Sequence, residues 1–297
     1  MPDVRHIQSN LRPATSSVLD NPDLEAPQVP LQAGPAMSIP VNIDNQQIKP
    51  VPYPYRNDSA VMESVPDPTR DNRLEISNTS QFPARAICYV FVQRANGDQE
   101  WGTAFLLSPT VAVTAAHVVH SPTAGPPARM VIYAGRSAGS CLATADVTKY
   151  WVQPEWAQGQ QFVHRYDAAA LFIPSGSSNF ANCNAFSMKV LQDSDLQQIS
   201  SATKDFYVQG YPQDKGGQFQ YCGPGHIESD NFDAYAFRHL IPTDHGESGG
   251  PVFGINSQGQ PIVIGIHIEG DGSYNVARRI DPVLDGILQG FINGATS

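Results

Sequence analysis

The chain is organised around Thr243-Asp244-His245-Gly246-Glu247-Ser248-Gly249-Gly250-Pro251-Val252-Phe253. A serine between glycines, followed by an apolar run, predicts a hydroxyl on a tight turn, because glycine allows bends that other residues resist. On such a turn the backbone N–H groups of Gly246 and Ser248 can converge and stabilise an oxyanion. A serine hydroxyl is a weak nucleophile without a base, which in turn needs an acid to orient it. The stretch therefore predicts that the chain also supplies a histidine and a carboxylate.

Two upstream stretches supply these groups. They are Val111-Ala112-Val113-Thr114-Ala115-Ala116-His117 and Tyr166-Asp167-Ala168-Ala169-Ala170-Leu171-Phe172-Ile173. The order His117, Asp167, Ser248 is one of several in which different folds assemble the same geometry. An α/β-hydrolase instead needs its acid and then its histidine after the serine, but the one histidine after Ser248, His267, precedes every later aspartate. The three residues therefore predict acyl transfer by a serine nucleophile in a chain with the order His, Asp, Ser, and they argue against an α/β-hydrolase.

Composition limits the possible partners. The chain has 297 residues, a net charge of −10 and no cluster of basic residues, which argues against nucleic acid and anionic membranes as partners. Neither a transmembrane run nor a secretory leader is visible. We expect a secreted or extracellular monomer that acts on proteins or peptides, so a leader has been removed or export takes another route.

The cysteines and histidines do not indicate a metal or cofactor. Cys88, Cys141, Cys183 and Cys222 are spread widely, without the close pairs typical of zinc sites. They are compatible either with two disulfides in an oxidising compartment or with buried thiols. The segment His117-Val118-Val119-His120 lacks the glutamate of a zinc-protease motif. We therefore expect chemistry carried by side chains alone.

The chain divides at about residue 63. Residues 1–63 hold 10 of the 25 prolines but only one of the 24 glycines, which predicts irregular, extended chain: a propeptide, or otherwise a linker or tail. Residues 64–297 alternate short apolar runs with turn residues. They predict an all-β domain of two six-stranded antiparallel β-barrels, at about 84–173 and 203–270, with the active site between them and a C-terminal helix at about 281–293. The predicted strands are 85–93, 100–107, 110–115, 129–134, 144–152, 168–173, 205–210, 218–222, 225–229, 234–241, 250–255 and 261–268.

Several phrases carry a family resemblance. They are Arg73-Leu74-Glu75-Ile76-Ser77-Asn78-Thr79-Ser80, Gly210-Tyr211-Pro212-Gln213-Asp214-Lys215, Ser248-Gly249-Gly250-Pro251-Val252-Phe253 and Val263-Ile264-Gly265-Ile266-His267. With the triad, they make most of residues 64–297 resemble the chymotrypsin-like serine proteases, and among these the bacterial glutamyl endopeptidases. The resemblance implies cleavage after glutamate, with aspartate as an alternative, and it implies that Thr243 and His267 hold this side chain of the substrate. It also implies a precursor whose mature terminus lies near residues 64–68, with Glu63-Ser64 as a candidate cleavage point.

Two residues depart from the family pattern. Glu247 stands where these endopeptidases usually have Asn or Gln, and it is a candidate to bind a newly made N-terminus. Glu269 stands two residues after His267, where an extra carboxylate would repel an acidic substrate or shape a neighbouring subsite. Two alternatives therefore stay open: a chymotrypsin-like endopeptidase with a non-acidic primary preference, and a catalytically silent, protease-like binding module.

Overall fold

The computed structural model describes residues 39–40, 49–50, 71–121, 124–159, 164–177, 179–201, 206–228, 233–270 and 272–294. Most of the regular structure in these ranges is β, which confirms the predicted class. The strands, numbered in chain order, are β1 Ile39–Pro40, β2 Lys49–Pro50, β3 Leu74–Glu75, β4 Ile87–Gln93, β5 Gln99–Ser108, β6 Val111–Thr114, β7 Arg129–Ala134, β8 Ser140–Cys141, β9 Ala143–Asp146, β10 Lys149–Val152, β11 Ala169–Phe172, β12 Ser187–Met188, β13 Phe206–Gly210, β14 Tyr221–Gly225, β15 Ala236–His239, β16 Pro251–Ile255, β17 Pro261–Gly270 and β18 Asn275–Arg279.

Two large sheets form the body of the described chain. The first has the order β10-β11-β6-β5-β4-β7-β9, and the second has the order β15-β18-β17-β16-β13-β14-β3. All neighbours along these two paths are antiparallel, while β2 adds to β5 and β12 adds to β17 in parallel. Two β units in sequence are thus confirmed, but each sheet has eight strands rather than the predicted six.

None of the two-residue strands β1, β2, β3, β8 and β12 was predicted, and the longer strands differ from the prediction mainly in three places. The run at 144–152 is split between β9 and β10, whereas the runs at 218–222 and 225–229 are replaced by the single strand β14. Strand β18, which lies between β15 and β17, was not predicted. The remaining predicted strands each overlap an observed strand.

Four α-helices accompany the sheets in the described residues: α1 Ala116–Val119, α2 Pro154–Ala157, α3 Asp193–Ser201 and α4 Pro282–Ile292. Helix α4 confirms the predicted C-terminal helix. Asp281 caps it by accepting hydrogen bonds from Val283 N (2.8 Å) and Leu284 N (3.0 Å). Proline follows at the first helical position, where its missing N–H costs nothing. Leu284 and Leu288 face the core. No helix in the described residues is long and apolar enough to cross a membrane.

Two further predictions concern the N-terminal segment and the cysteines. Of residues 1–63, only 39–40 and 49–50 are described, where β1 pairs with β8 and β2 pairs with β5. The rest of the propeptide prediction, including the Glu63-Ser64 cleavage point, lies outside the described residues. All four cysteines are buried free thiols, so the disulfide alternative is corrected in favour of reduced cysteines.

Candidate active site

His117 and Asp167 form a buried, doubly hydrogen-bonded pair. His117 lies in α1, directly after β6, and Asp167 lies two residues before β11, which pairs with β6. Because these two strands are neighbours, the side chains meet: His117 Nδ1 lies 2.8 Å from Asp167 Oδ2. The other carboxylate oxygen accepts the backbone N–H of His117 at 3.0 Å. Donation from Nδ1 to the carboxylate makes Nε2 the basic atom of the imidazole.

The turn at residues 244–250, called the Ser248 turn below, is compact and internally bonded. Gly246 and Gly249 have φ angles of +90° and +87°, in the region that favours glycine. A Cβ on Gly249 would collide with Thr103 O and with the Thr114 hydroxyl. The N–H of Gly249 donates to His267 O (2.7 Å), which attaches the turn to β17. The glycines in this motif are therefore required by geometry.

Thr103 of β5 connects the Ser248 turn to the first sheet. Its N–H donates to Ser248 O (2.9 Å), and its hydroxyl donates to Gly246 O (2.7 Å). Its carbonyl accepts the hydroxyl of Thr114 (2.6 Å), which ends β6 just before His117. Ser248 and His117 thus lie on segments held by the same residue, where the two sheets meet. The exposed fraction is 1% for Ser248 and 2% for His117.

Thr243 and His267 are both fully buried in the second sheet region. The Thr243 hydroxyl makes no hydrogen bond to a described residue. The imidazole of His267 packs edge-on against that of His239, with ring centroids 5.4 Å apart. Burial, and then the neighbouring His239 and His117, lower the pKa of His267 well below 6.5. Burial likewise lowers the pKa of His239 to about 3, so both rings are neutral near pH 7.

The two unusual acids have partners that the sequence did not indicate. Glu247, considered above for a new N-terminus, is paired with Arg73, whose Nη1 lies 3.2 Å from Oε2. Glu269 Oε1 lies 3.0 Å from Nε2 of His164. Burial alone would lower the pKa of His164, but hydrogen bonds and charges from Glu269 and Asp233 outweigh it and raise the pKa. Glu269 therefore has a hydrogen-bonding partner within the protein.

The family model for a trypsin-like peptidase domain matches residues 102–266, which is more than half of the chain. The chain belongs to the trypsin-like peptidase family.

Two proteins from bacilli are similar in sequence to this chain. The chain is 27% identical over 212 residues to an extracellular metalloprotease of Bacillus subtilis strain 168, covering 71% of this chain and 64% of that protein. It is 26% identical over 236 residues to a glutamyl endopeptidase of Bacillus licheniformis, covering 76% of this chain and 68% of that protein. The chain thus spans less than two thirds of the first relative.

Solved structures show the same fold. A Glu endopeptidase in complex with MPD superposes with a TM-score of 0.59 at 20% identity, covering 75% of this chain and 97% of that one. The thermostable serine protease AL20 from an extremophilic microorganism gives a TM-score of 0.57 at 17% identity, covering 72% and 98%. At these identities the likeness shows the fold alone.

Sequence reasoning missed four side chains at this site: Arg73, Thr103, His164 and His239. Thr103 was visible as a polar residue in an otherwise apolar strand, and Arg73 stood in a phrase used for the family resemblance. No local pattern indicated His164 or His239, because their partners lie far along the chain. The predicted pair His117 and Asp167, in contrast, is found in contact.

Proposed function

We propose that this peptidase is a serine endopeptidase that cleaves after glutamate through an acyl-enzyme on Ser248. The observation that carries the proposal is the buried contact of 2.8 Å between His117 Nδ1 and Asp167 Oδ2. In the proposed mechanism, Nε2 of His117 takes the Ser248 proton as the oxygen attacks the peptide carbonyl. The N–H groups of Gly246 and Ser248 hold the oxyanion. His117 then protonates the leaving amine, and water releases the acyl group.

The preference for glutamate rests on Thr243 and His267. A hydroxyl and an imidazole N–H both donate hydrogen bonds, which a substrate carboxylate accepts. The unsatisfied Thr243 hydroxyl and the neutral rings of His267 and His239 supply donors for such a carboxylate. A carboxylate beside His267 would raise the pKa of that ring and strengthen the contact. The relative named glutamyl endopeptidase supports the same preference.

A precursor form is part of the proposal. Ser248, Thr243 and His267 are at most 1% exposed, which supports a precursor in which a rearrangement opens the site. Strand β2, from the proline-rich segment, pairs with Glu100 and Trp101 of β5, two residues before Thr103. Removal of residues 1–63 from a secreted, monomeric precursor is the rearrangement that we propose.

Peptides that differ only at the residue before the scissile bond test the specificity. We expect the processed protein to cleave after Glu at least about tenfold better than after Asp, Gln or Leu. The matched variant His267→Leu should lose this selectivity while Ser248 still reacts with a fluorophosphonate. Equal cleavage after Gln and Glu would favour a non-acidic preference. Failure of Ser248 to react, before and after processing, would favour the silent binding module.

A further inference from the structure

The Ser248 turn contains a buried acid that the proposed chemistry does not use. Glu247 precedes Ser248, and its side chain is 0% exposed. Its Oε2 accepts the N–H of Asp244 at 2.9 Å and lies 3.2 Å from Nη1 of Arg73. Burial raises the pKa of Glu247 to about 8, and the charge of Arg73 opposes this rise. A carboxylate in such surroundings is costly unless a cation and hydrogen bonds compensate it.

The Arg73 guanidinium joins acids from three segments of the chain. It lies 2.9 Å from Asp71 through Nε, 2.5 Å from Asp214 through Nη2, and 3.2 Å from Glu247 through Nη1. The side chain of Arg73 is itself 0% exposed. Lys215 adds a second cation, 2.9 Å from Asp71. The planar fork of arginine can serve several carboxylates at once, which a lysine ammonium cannot do with the same geometry.

Backbone pairing fixes the position of Arg73. The next two residues form β3, which pairs with Tyr221 and Cys222 of β14. Gly223 leaves room for the arginine stem, because a Cβ there would lie 2.8 Å from Arg73 Cγ. The location of this cation therefore follows from its attachment to the second sheet.

A second set of contacts ties the same network to the Ser248 turn. The N–H of Asp214 donates to the carboxylate of Asp244 (3.2 Å), and the N–H of Gln213 donates to His245 O (2.7 Å). Asp214 thus holds Arg73 with its side chain and the turn with its backbone. Glu247 is the member of this network that lies next to Ser248 in sequence.

We propose that Arg73 is a positioning residue for Ser248, which it holds in place through Glu247. The turn is set by a cation within the chain, so Glu247 needs no newly made α-amino group as its partner. The expected effect on the reactivity of Ser248 rests on the proposed function, whereas the expected effect on hydrogen exchange in the Ser248 turn does not.

The variants Arg73→Met, Glu247→Gln and the double substitution test this role in the full chain. Arg129→Met, in the exposed pair with Asp146, is the matched control. We expect Arg73→Met to speed hydrogen exchange at the amides of residues 247–250 by about tenfold, because Glu247 Oε2 loses both the charge and the hydrogen bond that Arg73 Nη1 supplies at 3.2 Å. The double variant should exchange like Glu247→Gln, since removal of the acid removes the need for the cation.

Fluorophosphonate labelling of Ser248 in the same variants, after removal of residues 1–63, gives the functional measurement. Arg73→Met should slow labelling by about a hundredfold, the scale of a displaced oxyanion donor. If the wild type is not labelled either before or after removal of residues 1–63, the proposed function fails, and exchange alone decides the role of Arg73. Exchange and labelling rates of Arg73→Met within about twofold of the wild type would overturn the proposal. If Arg73→Met does not fold, a double variant about tenfold worse than Glu247→Gln would overturn it.

Discussion

A single hydroxyl, that of Thr103, serves two segments of the site. It donates to Gly246 O (2.7 Å) and accepts the N–H of Tyr211 (3.2 Å). Thr103 is fully buried, so both backbone groups would lose a partner that water cannot readily replace. Trp101, on the same strand, adds a donor to Tyr211 O (3.0 Å). Strand β5 therefore positions the Ser248 turn through side chains as well as through its backbone.

Replacement of Thr103 by valine keeps the shape of the side chain and removes the hydroxyl. We expect Thr103→Val to lower the free energy of unfolding by about 1–3 kcal/mol, because two buried backbone groups are left unsatisfied. Labelling of Ser248 should slow as well. Urea denaturation measures the first effect, and Thr103→Ser, which retains the hydroxyl, is the control. A loss below about 0.5 kcal/mol for Thr103→Val would show that the hydroxyl does not hold the turn.

At this scale, sequence alone predicts site residues whose neighbours along the chain form a motif. His117, Asp167 and Ser248 each stand at the end or start of an apolar run, so their settings are legible locally. Arg73 and His164 stand in no such setting. Their roles come from contacts with Glu247 and Glu269 far along the chain, which no local pattern specifies.

Strands β14 and β18 were not predicted as they are observed, because their residues serve tertiary contacts that the local sequence pattern does not show. Gly223-Pro224-Gly225 has the composition of a turn, yet these residues form the last three positions of β14. Glycine is needed at position 225 because a Cβ there would lie 2.7 Å from the Ile241 Cα. Close approach of two backbones, and not a bend, requires that glycine. Strand β18 looks too polar for a central strand, but its arginines are buried and paired. Arg278 Nη2 lies 2.6 Å from Asp281, and Arg279 Nη1 lies 2.6 Å from Asp193.

Asp281 links β18 to α4, and its substitutions should separate a helix cap from a buried ion pair. Burial alone would raise the pKa of Asp281, but the Arg278 charge and the N–H groups of Leu284 and Val283 outweigh it and lower the pKa. Asp281→Asn keeps a capping oxygen and loses the charge, so we expect a loss of about 3–5 kcal/mol from the unpaired Arg278. Asp281→Ala should cost about 1 kcal/mol more, for the cap.

The depressed pKa of Asp281 fixes the pH dependence of this effect. Its stabilisation is present above the ordinary value of 3.8 and is lost as the pH falls through the folded-state pKa. Urea unfolding of the wild type and Asp281→Asn should therefore converge on acidification from about pH 6. A gap that stays constant, or widens at low pH, would contradict the ion pair as its source.

At the scale of the whole molecule, polar contacts hold residues 164–167, which lead into β11 of the first sheet, against the second sheet. Arg278 Nε donates to Arg165 O (2.8 Å), and the Arg165 guanidinium lies 4.5 Å from the centre of the Tyr235 ring. His164 contacts Glu269 at 3.0 Å and Asp233 at 3.4 Å. The acid that orients His117 therefore depends on the other sheet for its position. The prediction of a site between two β units anticipated this junction, but not the polar groups that form it.

The His164 contact should make the junction sensitive to pH. Its raised pKa means that its stabilisation is fully present below 6.5 and is lost as the pH rises through the folded-state pKa. The difference in unfolding free energy between the wild type and His164→Gln should therefore shrink between about pH 5.5 and pH 9. Glu269→Gln provides the control, because the histidine then keeps only Asp233 and the pH dependence of the difference should weaken. A difference that is constant with pH would mean that His164 joins the sheets as a neutral hydrogen-bonding group and not as a cation.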